Sequence, residues 1–146
     1  MTDAPILLVE DNPDDVLLTR RAFAKNGFTN RIVALPDGEA CIQALLPGPD
    51  PDTPPLVPAI VLLDINLPRV GGLDVLRRIR AERATSTLPV IMLTTSREQR
   101  DIAESYRLGA NSFVRKPIAF SEFLAMVRIL GVYWLRINEP SPAPPR

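Results

Sequence analysis

Ala59-Ile60-Val61-Leu62-Leu63 runs directly into Asp64, and the reading of this stretch decides the fold. Five successive apolar residues show no alternation, so both faces of the strand they form are covered, as in a parallel sheet flanked by helices. A carboxylate closing such a strand is costly unless it has a task. Outward from it lie four segments that also read as strands: Pro5-Ile6-Leu7-Leu8-Val9, Arg31 to Leu35, Pro89-Val90-Ile91-Met92-Leu93, and Ser112-Phe113-Val114-Arg115. Amphipathic stretches alternate with them and predict helices over about 14–26, 37–46, 72–82, 97–108 and 119–137. Asn12 or Asp14 can cap the first helix and Gly27 can end it; Gly109 can end the fourth, and Ser121 precedes Glu122 near the start of the fifth. Five strand–helix repeats are too few for a barrel, so the expected fold is α/β, an open, doubly wound parallel sheet.

Composition narrows the function. The chain has 146 residues, enough for one ordinary domain, and 17 Lys plus Arg balance 17 Asp plus Glu. No general field then draws the protein to nucleic acid or to an anionic membrane, so neither is expected as a partner. The chain has no histidine, which excludes Ser-His-Asp chemistry, His-ligated zinc and imidazole proton relays. The lone Cys41 cannot form an internal disulfide and reads as a packing residue. With no signal-like N-terminus, and with Arg128 and Arg136 interrupting an apolar stretch too short to span a bilayer, a cytoplasmic location is expected. Prolines gather in two places, Pro47 to Pro58 and the end of the chain after Asn138. The expected organisation is a domain over 1–137 and a Pro-rich tail over 138–146, with the first cluster forming a long loop.

Ligands of doubly wound sheets bind beyond the carboxyl ends of the strands. Those ends carry Glu10-Asp11, Asp64, Thr94-Thr95-Ser96 and Lys116-Pro117. Gathered at one edge, three carboxylates would repel one another by roughly 4 kcal/mol per pair at about 4 Å and an effective dielectric near 20. A hard cation relieves that repulsion, and an all-oxygen set suits magnesium together with a phosphate. Glu10, Asp11, Asp14 and Asp15 read equally as a solvated acidic turn capping the first helix, and Lys116 as a surface lysine; Asp64 has no such simple alternative.

Ile6 to Asn12, then Val61-Leu62-Leu63-Asp64 with Pro68 and Gly72, then Met92-Leu93-Thr94, then Phe113-Val114-Arg115-Lys116-Pro117, in this order and at these intervals, resemble the receiver domain of two-component response regulators. The likeness covers nearly everything from Pro5 to Ile137. It implies a flavodoxin-like (βα)5 fold with strand order 2-1-3-4-5. It also implies that Asp64 accepts a phosphoryl group, that Glu10 (through water), Asp11, Asp64 and the carbonyl of Asn66 hold Mg2+ or Mn2+, and that Lys116 and Thr94 bind phosphoryl oxygens. Phe113 takes the place of the family's switch aromatic, and Lys116-Pro117 that of a cis peptide. The donor would be a phosphohistidine on a sensor histidine kinase. The protein would not be an enzyme beyond taking up the group and slowly losing it to water. Thr95, Gly71 and the long proline-rich loop depart from the common pattern.

Because only a short tail follows the fifth helix, output is expected through contact with a downstream protein. That helix has two apolar stripes, one from Phe120 to Leu130 and one of Met126, Ile129, Tyr133 and Ile137. The second, with Tyr106, predicts a homodimer interface, the alternative being that this stripe packs under a loop or the tail. The ending Val132-Tyr133-Trp134-Leu135 with Asn138-Glu139-Pro140 resembles small receivers paired with bacterial phytochrome kinases. Three rival readings are a receiver-like binding module that is never phosphorylated, a metal-dependent phosphatase built on Asp64-Ile65-Asn66, and a flavin-binding module. The second lacks an acid, because Asn66 cannot donate a proton as one, and the third would set a phosphate against an acidic loop.

Overall fold

The computed structural model describes residues 2–142, so residues 143–146 of the expected tail lie outside the described residues. Five parallel strands, β1 (Ile6–Val9), β2 (Ile32–Leu35), β3 (Ile60–Leu63), β4 (Val90–Thr94) and β5 (Ser112–Arg115), form one sheet in the order β2-β1-β3-β4-β5. The three unbroken apolar runs are the three central strands, and every residue of β1, β3 and β4 is buried. The edge strands β2 and β5 are mostly half-buried. Ile6 is in register with both Ile32 and Ile60, Val61 with Val90, and Ile91 with Ser112.

Alternate residues feed two cores, as the two-residue period of a strand requires. Ile6, Leu8, Ile60 and Leu62 face α1 (Pro13–Lys25) and α5 (Phe120–Val132), meeting Phe23 and Val127. Leu7, Val9, Val61 and Leu63 face α2 (Gly38–Leu45) and α3 (Gly72–Ala81), meeting Cys41 and Leu76. Each fully buried Leu or Ile contributes about 1.5–3 kcal/mol. Burial also pushes the Cys41 thiol up to about 12, which fits a packing residue.

Local signals set the helix ends. The Asn12 side chain accepts from the N–H groups of Asp14 and Asp15, at 2.9 and 3.4 Å, with Pro13 in the first turn. Gly27 (φ 81°) and Gly109 (φ 102°) turn the chain out of α1 and of α4 (Gln99–Arg107). Helix α5 ends at Val132, earlier than the expected 137, and residues Tyr133–Ile137 form a wider turn closed by Asn138 N–H donating to Tyr133 O at 2.7 Å. Of the second apolar stripe, Ile129, Tyr133 and Ile137 are exposed, whereas Met126 is half-buried against the core. The Pro47–Pro58 stretch contains no helix or strand, as expected, and helps line a cavity of about 690 Å³ with Pro5 and Arg31 at the amino ends of the strands, away from Asp64.

Candidate functional site

The connections that follow β1, β3 and β5 bring their charged groups together at the carboxyl edge. Glu10 leaves β1 with its N–H bonded to Leu35 O, and its carboxylate turns under the edge, where the side chain is 3% exposed. Asp64 leaves β3 with its N–H on Val9 O, its side chain 13% exposed. Asp11 lies beside them in solvent. One oxygen each from Glu10, Asp11 and Asp64 falls within 4.8 Å of the others. The solvated-turn reading therefore fails for Glu10 and survives for Asp14.

Lys116 enters from β5, its N–H on Thr94 O at 2.8 Å. Its ammonium lies 2.5 Å from Glu10 Oε1 and 3.6 Å from both Asp64 Oδ2 and Asp15 Oδ2, with the side chain 10% exposed. It is not the surface lysine of the simpler reading. The expected cis bond at Lys116-Pro117 is corrected: no cis peptide occurs among the described residues. The trans isomer is intrinsically favoured by about 0.5–1 kcal/mol before proline, and here it already brings the ammonium to the carboxylates.

The loop after Asp64 folds back on itself. Asn66 N–H donates to Asp64 Oδ1 at 3.3 Å, and Gly72 N–H to Ile65 O at 2.8 Å. A side chain at Gly72 would place its Cβ 2.0 Å from Asp64 O, so only glycine lets α3 begin this close to the end of β3. Arg69, with φ 68°, makes the tight turn and pairs with Glu39 of α2 at 2.8 Å.

Burial, the largest influence on Glu10, pushes its carboxyl up to about 7; the hydrogen bond and charge of Lys116 oppose the rise, while Asp15 and Asp64 add to it. Burial works against the Lys116 ammonium too, but the hydrogen bond and charge of Glu10, then Asp64 and Asp15, outweigh it and hold its proton more firmly than usual. One cation among four carboxylates leaves net negative charge in a half-dry crevice. The donor set is all oxygen, converges, and has a member whose ionisation is disfavoured, so it fits a hard divalent cation.

Thr94 closes β4 fully buried, its hydroxyl oxygen accepting from Ser96 N–H at 3.3 Å. Thr95 is exposed and, with Asp15, Leu18, Lys116 and Phe120, lines a cavity of about 240 Å³ beside the crevice. Phe113 is half-buried against the α3 side of the sheet. Three contacts lie beyond those expected from the sequence: Asp15 beside the Lys116 ammonium, the Ser96 hydroxyl donating to Asp101 at 2.6 Å, and Tyr106 Oη accepting from Phe113 N–H. The first was legible in principle, since the first turn of α1 must face the edge that β1 has just left.

A five-stranded parallel sheet of this order with acids and a lysine at its carboxyl edge is the receiver architecture of response regulators. The chain belongs to the response regulator receiver domain family, whose description matches residues 6–128. It is similar to the probable methanogenesis regulatory protein FilR2 of Methanothrix harundinacea, 39% identical over 94% of this chain and 88% of that protein. It is also similar to the response regulator Rcp1 of Synechocystis, 32% identical over 89% and 88% of the two chains; a Mn(2+)-bound structure of Rcp1 superposes with a TM-score of 0.84 at 30% identity, covering 94% and 99%. The phosphorylated cyanobacterial phytochrome response regulator RcpA superposes with a TM-score of 0.86 at 30% identity, covering 96% and 99%. Among the described residues no helix is long and apolar enough to cross a membrane.

Proposed function

We propose that this receiver is a phosphorylation switch in which Asp64 takes a phosphoryl group from a phosphohistidine on a sensor kinase. The observation that carries the reading is the meeting of Glu10, Asp11 and Asp64 oxygens within 4.8 Å, with the Lys116 ammonium 3.6 Å from Asp64. Phosphoryl transfer goes through a loose transition state with charge on the equatorial oxygens, so alignment and positive charge do most of the work. Lys116 supplies a buried cation at Asp64. Thr94 supplies a hydroxyl at the end of the neighbouring strand, and its hydrogen bond to a charged acceptor is worth about 1.5–3 kcal/mol, enough to bias two conformations. Phe113 fills the space that Thr94 vacates.

Glu10, Asp11, Asp64 and the Asn66 carbonyl would hold Mg2+ or Mn2+, which supplies charge neutralisation for the phosphoryl oxygens. The acyl phosphate on Asp64 is then lost slowly to water. Leu18 and the fully exposed Ile118, beside the Lys116 cavity, offer an apolar rim for the donor protein. The phytochrome-associated relatives favour a kinase of the bacterial phytochrome type, acting in the cytoplasm. Output passes by protein contact, with Tyr106, Met126, Ile129, Tyr133 and Ile137 forming the interface of a homodimer; Ile129, 70% exposed, is its centre. The domain over 1–137 carries all of these groups. Incubation with acetyl phosphate and Mg2+ is expected to add one phosphoryl group by intact mass, and excess chelator to prevent it; equal labelling with chelator present would refute the metal's part.

A further inference from the structure

Thr94 is held in place by the loop that follows it. Its hydroxyl oxygen accepts from Ser96 N–H, a bond that leaves the hydroxyl proton for another acceptor. Ser96 Oγ in turn donates to Asp101 Oδ2 at 2.6 Å and accepts from Glu98 N–H at 3.3 Å. The first of these is short and charge-assisted, hence among the stronger bonds available to a side chain. Asp101 lies in the first turn of α4, and its carbonyl accepts from the Ser105 hydroxyl at 2.7 Å.

The footing of α4 is weak by comparison. Of residues Gln99–Arg107 only Ser105 is buried, so little apolar surface fixes the helix on the sheet. At its far end the phenol of Tyr106, 51% exposed, accepts the N–H of Phe113 at 3.1 Å on the edge strand β5. The helix is thus tied at one end to Ser96, whose N–H is bonded to the Thr94 hydroxyl, and at the other to the backbone of Phe113.

We propose that Ser96 and Asp101 are positioning residues that pass the displacement of Thr94 to α4, and that the helix then withdraws the Tyr106 phenol from the Phe113 N–H. The inference rests on the phosphoryl reading above and adds the mechanical link between its two switch residues. When the 94–96 segment shifts toward a group on Asp64, the joint that yields is the shallow seat of α4, because the Ser96–Asp101 bond is the stronger connection.

The test is hydrogen exchange of the Phe113 amide, read by NMR on the full chain with Mg2+, with and without the beryllium trifluoride anion as a phosphoryl-shaped probe. Binding of the anion should speed exchange at Phe113 at least about tenfold, the loss expected for one hydrogen bond. Ser96→Ala should bind the anion and leave Phe113 exchange unchanged, whereas Ser96→Thr, which keeps the hydroxyl, should restore the response. Tyr106→Phe should show fast exchange with no anion present. Anion binding without a change at Phe113, or a Ser96→Ala chain that responds like the native one, would overturn the link while sparing the phosphoryl reading. Failure of the native chain to bind the anion would overturn both.

Discussion

The ion pair Arg107–Glu104 spans 2.7 Å on the surface of α4, and Lys116–Glu10 spans 2.5 Å beneath the carboxyl edge of the sheet. The first is a neighbourly helical contact at i,i+3, bathed in solvent, where gain and side-chain entropy nearly cancel. The second joins residues 106 positions apart, in a crevice that also contains Asp64 and Asp15. Similar distances thus conceal different physics. The buried pair is held against desolvation by the fold, and the negative charge left over after pairing suits the crevice to a cation.

The largest effect should come from removing the buried cation. Lys116→Met leaves Glu10 and Asp64 facing each other and should lower the unfolding free energy by up to about 3 kcal/mol at neutral pH without added metal, as measured by urea denaturation. No loss would mean that water screens this crevice as it does the surface pair, and the contrast would vanish.

A smaller effect should follow pH. Because Glu10 is raised from its ordinary 4.5 to about 7 in the fold, its stabilising contribution is fully present below about 4.5 and is lost as pH rises through 7. In chelator, the native chain should therefore become less stable between pH 5 and 8, and Glu10→Gln should flatten that part of the profile. A slope of opposite sign would show that Lys116 dominates Glu10 instead. Arg107→Ala should be the smallest change, with no measurable shift in Tm and no change in phosphoryl uptake, since its partner Glu104 remains in water.

How much of this was visible in the chain itself follows from the same contrast. The unbroken runs at residues 6–9, 60–63 and 90–93 announced strands buried on both faces, and the structure puts them in the centre of the sheet. Residues at strand ends could be gathered at one edge because parallel topology leaves them nowhere else, which made Glu10, Asp64, Thr94 and Lys116 legible. The isomer at Pro117 was not, since the intrinsic difference between cis and trans is small and tertiary context decides it. Nor were the Ser96–Asp101 and Tyr106–Phe113 bonds, which depend on how a loop and a shallowly seated helix lie on the sheet rather than on any periodicity. Met126 sits where the face boundary on α5 falls, half-buried against the core while Ile129 stands free, a division that periodicity alone does not resolve.

In the proposed switch Asp64 alone takes the phosphoryl group. Intact-mass measurement after treatment with acetyl phosphate and Mg2+ should give a single added group on the native chain and none on Asp64→Asn. An Asp64→Asn chain that still gains one group to the same extent would show that Asp64 is not the acceptor.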